Sequence, residues 1–129
     1  MMAVDASAVL AVVLEETDAP AFEAVLSNAP ASVISAVNYW EVLVRARGAR
    51  GDTGMAAAEL FMRGAKITVA SADADLARAA ADAFTRFGKR SAGGLNLGDC
   101  FAYALAQREG GGLLYKGDDF PKTDVTSVL

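Results

Sequence analysis

The chain contains no histidine. That absence removes Ser-His-Asp and Cys-His catalysis, histidine general bases and histidine-bearing zinc sites. It has a single cysteine, Cys100, so an internal disulfide and a thiolate zinc site are both excluded. A reducing cytoplasm is the expected setting. No apolar run reaches the roughly 18 residues of a membrane span. Residues 1–14 are apolar but carry Asp5 and no basic start, so a signal peptide is not expected. The first 44 residues hold six acids and no base, whereas the rest hold twelve bases against ten acids. Available chemistry is thereby limited to carboxylates, hydroxyls, lysine and arginine, the backbone, or a hard metal held by oxygen.

What is present suits one domain spanning residues 1–129. The length fits a single core, and 53% of the residues are hydrophobic against 22% charged, which rules out disorder. Met1–Val4 reads as a buried strand ending at Asp5, followed by a helix over Ala6–Glu16. A second helix begins at Asp18, with Pro20 tolerated in its first turn, and runs to about Ser27. Ser32–Ser35 reads as a second strand. Ala36–Arg47 reads as a helix with Val37, Trp40 and Val44 along one side and Glu41 one turn in. A polar turn over Gly48–Gly54 precedes another helix at Met55–Arg63. Lys66–Val69 alternates as a third strand, and a long helix follows from the Ser71–Asp75 cap to Phe87. Gly88–Gly94 is a basic, glycine-rich loop. Leu95–Gln107 is an apolar helix opened by Asp99, Leu113–Tyr115 a fourth strand, and Thr123–Val128 a possible edge strand. Trp40, Phe101 and Tyr103 are expected in the core, and Cys100 as a small buried group.

Strands alternating with helices imply a mostly parallel sheet covered on both faces. Such sheets bind ligands beyond the strands' carboxyl ends. Asp5 ends the first strand, Glu41 lies early in the helix after the second, and Asp118 and Asp119 follow the fourth. Asp99 opens the helix that enters the fourth strand; taken alone it reads as a helix cap. Acids sharing one partly buried cleft repel one another. A divalent cation relieves this, and Mg²⁺ or Mn²⁺ accepts oxygen ligands without histidine.

Four stretches then carry a resemblance: Val4–Leu10 (VDASAVL), Ile34–Val42 (ISAVNYWEV), Gly94–Ala106 (GLNLGDCFAYALA) and Leu113–Val125 (LLYKGDDFPKTDV). In this order and spacing, the chain resembles PIN-domain ribonucleases of the VapC type, the toxin half of toxin–antitoxin pairs, along essentially its whole length. The resemblance implies a three-layer α/β/α fold around a short, mostly parallel sheet, and a metal-dependent endoribonuclease. It maps Asp5, Glu41 and Asp99 onto the family's acidic triad and leaves either Asp118 or Asp119 as a fourth acid. Asp5 and Asp99 are the expected direct Mg²⁺ or Mn²⁺ ligands. Glu41 and the fourth acid would ligate through water, complete a second metal site or orient the attacking water. Ser7 and Asn96 would support the carboxylates or bound water. Arg86, Lys89, Arg90 and Lys116 are candidates for guiding RNA phosphates. Many relatives carry a histidine in the loop before Gly94; here that loop has none, leaving Arg90 or Ser91 in its place. Expected partners are an RNA substrate, a cognate antitoxin and a second copy of the chain, with the early helices contributing to both protein interfaces.

Two other classes compete. One is a PIN fold whose acids are silent and which only binds partners; Mg²⁺-dependent RNA cleavage separates it from an enzyme. The other is a phosphoacceptor or phosphatase domain on a similar sheet. Phosphatases of the haloacid-dehalogenase kind carry Asp-x-Asp at the first strand, where this chain has Asp5-Ala-Ser7.

Overall fold

The computed structural model describes residues 1–89 and 94–129. Its centre is a four-stranded parallel sheet in the order β3-β2-β1-β4. The strands are β1 (Met2–Val4), β2 (Ser32–Ser35), β3 (Ile67–Ala70) and β4 (Leu113–Leu114). Ala3 pairs with Val33 on one side and with Leu113 on the other. Strand order reverses beside β1, because β2 and β3 lie to one side and β4 to the other.

Side chains alternate along each strand and so feed two separate cores. Val4, Ile34 and Leu114 pack under α1 (Ala6–Val13), α2 (Ala19–Asn28) and α3 (Ala36–Gly64). Ala3, Val33 and Leu113 pack under α4 (Ala74–Phe87) and α5 (Leu97–Glu109). This is the expected three-layer α/β/α arrangement with an all-parallel sheet. Small residues permit close helix approach: Ala8 and Ala11 of α1 and Ala46 and Ala58 of α3 are fully buried on one face, and Ala102 of α5 on the other.

Four helices open with side-chain caps just beyond strand ends or loops; α4 is capped by Asp73, which accepts from Leu76 N–H at 2.9 Å. Asp5 caps α1 by accepting from Ser7 N–H at 3.0 Å. Ser35 caps α3 by accepting from Asn38 N–H at 3.1 Å. Asn96 and Asp99 form a reciprocal capping box on α5, in which each side chain accepts from the other's backbone N–H.

Several expectations change. The polar turn placed at Gly48–Gly54 contracts to a two-residue break inside α3, at Arg50 and Gly51. Gly51 takes φ +65, a conformation an L side chain resists. Trp40 is not in the core; it is 62% exposed, and Val44 is also exposed. The buried face of the first half of α3 is instead Asn38, Val42 and Ala46. Tyr103 is buried as expected and Phe101 is partly buried; Phe84 of α4 is exposed. Cys100 is buried. The segment after β4 makes a short 3-10 turn at Phe120–Lys122, and the expected edge strand reduces to one bridge between Leu113 and Ser127.

Candidate active site

The carboxyl edge of the sheet gathers the acids. Asp5 lies directly after β1, at the start of α1, and is buried. Its Oδ2 accepts from both the N–H (3.0 Å) and the hydroxyl (2.5 Å) of Ser7. Ser7 Oγ in turn accepts the Lys116 N–H at 2.9 Å. The loop after β4 therefore holds Ser7, and Ser7 holds the Asp5 carboxylate.

Glu41 and Asp99 meet where α3 passes the N-terminus of α5. The Asn38 amide donates to Glu41 Oε1 at 2.7 Å and to the Gly98 carbonyl at 3.0 Å. A Cβ on Gly98 would overlap the Glu41 carboxylate, so glycine there lets the two helices touch at this point. The Asn38–Gly98 bond brings the α5 N-terminus beside Glu41. The capping reading of Asp99 also holds: its Oδ2 accepts the Asn96 N–H at 3.1 Å. Asn96's own side chain is engaged with the Asp99 backbone N–H at 2.9 Å, so Asn96 supports the helix end and meets the Asp99 carboxylate through its backbone.

Electrostatics tie these acids together. Burial is the main cause that lifts Asp5 to about 6, opposed by the Ser7 hydrogen bonds and helped by the Glu41 charge. Burial likewise lifts Asp99 to about 6, with Asp5 and Asp119 adding repulsion and Lys89 opposing it. Glu41 is raised by burial and by Asp99, against the Asn38 hydrogen bond and Arg45. Asp5, Glu41 and Asp99 thus each act on the others. Asp119 is the member of the Asp118–Asp119 pair whose charge acts on Asp99.

The basic candidates separate. Lys89 is exposed and its charge acts on Asp99. Lys116 sends Nζ to Glu16 at 2.8 Å and Asp18 at 3.0 Å. Arg86 pairs with Asp124 at 3.1 Å and stacks over Phe87, where Tyr103 and Gln107 complete a clamp on Asp124. Arg90 and Ser91 lie outside the described residues. Two residues of the site were missed in the sequence. Arg45, exposed one turn beyond Glu41, had a legible signal in its i, i+4 spacing. Asn38 had none, because a polar residue inside a helix does not announce that it is buried.

The donor set is entirely oxygen and partly desolvated, and these residues fit a hard divalent ion. Among the described residues, no three carboxylates and thiols close into a cage by themselves. An ion held by one or two carboxylates with water completing its shell is the habit of Mg²⁺.

Comparison with known proteins identifies the family and the fold. The family model of the PIN domain matches residues 2–125. The chain is 38% identical to a "Ribonuclease VapC" of Mycolicibacterium smegmatis over 128 residues, covering 98% of this chain and 99% of that one. It is 37% identical to "Ribonuclease VapC30" of Mycobacterium tuberculosis, covering 98% of each, and 40% identical to that organism's "Ribonuclease VapC42", covering 96% of each. In fold it is similar to the crystal structure of Mycobacterium tuberculosis VapC20, described as a Sarcin-Ricin loop cleaving toxin. The TM-score is 0.80 at 17% identity, covering 98% of this chain and 97% of that one. With a family model spanning nearly the whole chain and full-length relatives of one kind, the chain belongs to the PIN-domain family, and within it to the VapC ribonucleases.

Proposed function

We propose that this chain is a divalent-metal-dependent endoribonuclease toxin, acting in the cytoplasm and silenced by a cognate antitoxin. The observation that carries the reading is the convergence of Asp5, Glu41, Asp99 and Asp119, three of them with raised pKa, in a molecule without histidine. Family membership supplies the reaction class. Mg²⁺ or Mn²⁺, when bound, polarises the phosphoryl oxygen and makes water acidic enough to attack in line. Asp5 and Asp99 would hold the ion, each with its carboxylate already oriented by neighbouring N–H or O–H donors. Glu41 and Asp119 would orient water around it and take up the proton released on attack. Lys89 and Arg45, exposed beside Asp99 and Glu41, would draw the flanking phosphates toward an otherwise repulsive pocket.

The partner reading includes a homodimer. Most of the early apolar residues are committed to the core, with Val9, Leu10, Phe22 and Leu26 buried. Exposed large apolar side chains on the helices are instead Trp40, Val44 and Leu60 of α3, Phe84 of α4 and Leu97 of α5. They are the surface available to a second copy or to the antitoxin. Among the described residues, no helix is long and apolar enough to cross a membrane.

The test is RNA cleavage by purified, antitoxin-free protein with Mg²⁺ or Mn²⁺, with EDTA, and in an Asp99→Asn variant. Cleavage that needs the metal and is lost in the variant supports the reading. A wild-type protein that binds Mn²⁺ but cuts no RNA overturns it in favour of a catalytically silent binding module.

A further inference from the structure

Asn38 is a fully buried polar side chain near the acids, with no exposed surface. It sits in the first turn of α3, three residues before Glu41, and every hydrogen bond it makes is accounted for. Its Oδ1 accepts from the Ser35 hydroxyl at 2.6 Å. Its Nδ2 faces two acceptors, Glu41 Oε1 and the Gly98 carbonyl. Only an NH₂ group satisfies both, which fixes the orientation of the amide. A simple helix cap requires none of this, because Ser35 already accepts the Asn38 N–H.

We propose that Asn38 is a positioning residue that sets where the Glu41 carboxylate stands relative to Asp99. The inference rests on the ribonuclease reading above. One amide nitrogen joins the acid on α3 to the N-terminal turn of α5, the turn that carries Asp99. Glu41 has three side-chain torsions and sits among like charges, so without an anchor repulsion would swing it toward solvent. Asn38 holds Oε1 inward, Gly98 leaves the space for it, and Ser35 keeps Asn38 from turning. Asn38 touches neither substrate nor metal in this role; it acts through Glu41.

The experiment is Mn²⁺ titration by calorimetry together with steady-state RNA cleavage. It compares wild type, Asn38→Ala, Asn38→Ser, Glu41→Gln and the double variant Asn38→Ala/Glu41→Gln, each checked for fold by circular dichroism. For Asn38→Ala we expect Mn²⁺ affinity and kcat to fall about 10–100-fold, the usual effect of losing a group that orients a ligand, with little change in KM. Asn38→Ser, which retains one short donor, should recover part of the loss. In the Glu41→Gln background the Asn38→Ala change should cost little more, since the residue it positions no longer carries the charge. Wild-type affinity and kcat in folded Asn38→Ala overturn the proposal, as does a loss that persists undiminished in the Glu41→Gln background. If Asn38→Ala does not fold, the decision passes to Asn38→Ser, where wild-type affinity and rate overturn it. A wild-type protein that neither binds Mn²⁺ nor cuts RNA fails the ribonuclease reading itself; unaffected Asn38 variants beside an active wild type fail only the positioning role.

Discussion

Two groups of acids in this molecule are treated in opposite ways. Asp124 is met by the Tyr103 hydroxyl and, to a lesser degree, Arg86, which hold its carboxyl below the usual range. Glu16 and Asp18 share the Lys116 ammonium. These acids have partners within the chain, and they tie peripheral segments to the core. Asp5, Glu41 and Asp99 are buried further and face one another, and their carboxyls are pushed up. Among the described residues, the cations whose charge reaches these acids are Lys89 and Arg45, and neither is seen paired with them.

The sharpest way to break this comparison is to neutralise one acid of each group. Asp5→Asn or Asp99→Asn should lower RNA cleavage by at least roughly 10²–10³-fold, the scale of removing one group that stabilises developing charge. Asp124→Asn should leave cleavage unchanged and lower the melting temperature slightly, as expected for an exposed ion pair. Cleavage assays and thermal denaturation on the same samples check both.

Next in size is Gly98→Ala. The added methyl displaces the Glu41 carboxylate, so cleavage should fall about 10–100-fold while helicity by circular dichroism is retained. Glycine-to-alanine changes normally favour a helix, so a lower rate in a protein with undiminished helicity is the distinguishing outcome. Asp119→Asn should then reduce cleavage more than Asp118→Asn, because Asp119 is the one whose charge reaches Asp99. Comparing kcat for the two variants tests this.

The smallest effect is on stability. Asp5 and Asp99 have folded values of about 6 against 3.8 when free. Between those values the folded state holds protons that the unfolded state has released, so this contribution to stability is present at pH 4 and lost as pH rises through 6. Asp124, held low, contributes in the opposite direction at more acid pH. The melting temperature of Asp5→Asn/Asp99→Asn relative to metal-free wild type should therefore rise between pH 4 and pH 6 and level off above. Mg²⁺ should stabilise wild type and not the variant at pH 7.

Much of the fold was legible because short apolar strands followed by capped helices leave few alternatives. The acids were legible because each sits next to a strand end or helix start. The face of α3 was misread: Val37, Trp40 and Val44 have helical spacing, but the buried stripe runs through Asn38, Val42 and Ala46. Apolar periodicity favours large side chains, whereas here a hydrogen-bonded amide and a small alanine face the interior while an indole stands in solvent. The break at Gly51 was read as a longer loop because its polar residues, Arg47 and Asp52, pair across the helix surface instead. The fourth acid is ambiguous in sequence because Asp118 and Asp119 are adjacent; in the structure it is Asp119 whose charge acts on Asp99.

The most direct test of the acidic edge as a metal centre is Mn²⁺ binding to metal-free protein at pH 7, with Asp99→Asn alongside. Saturable binding that disappears in the variant, and that weakens at pH 5 as protons reclaim Asp5 and Asp99, is the expected result. Wild-type protein that binds no Mn²⁺, or binds it equally well in the variant, contradicts the assignment of these carboxylates as a cation site.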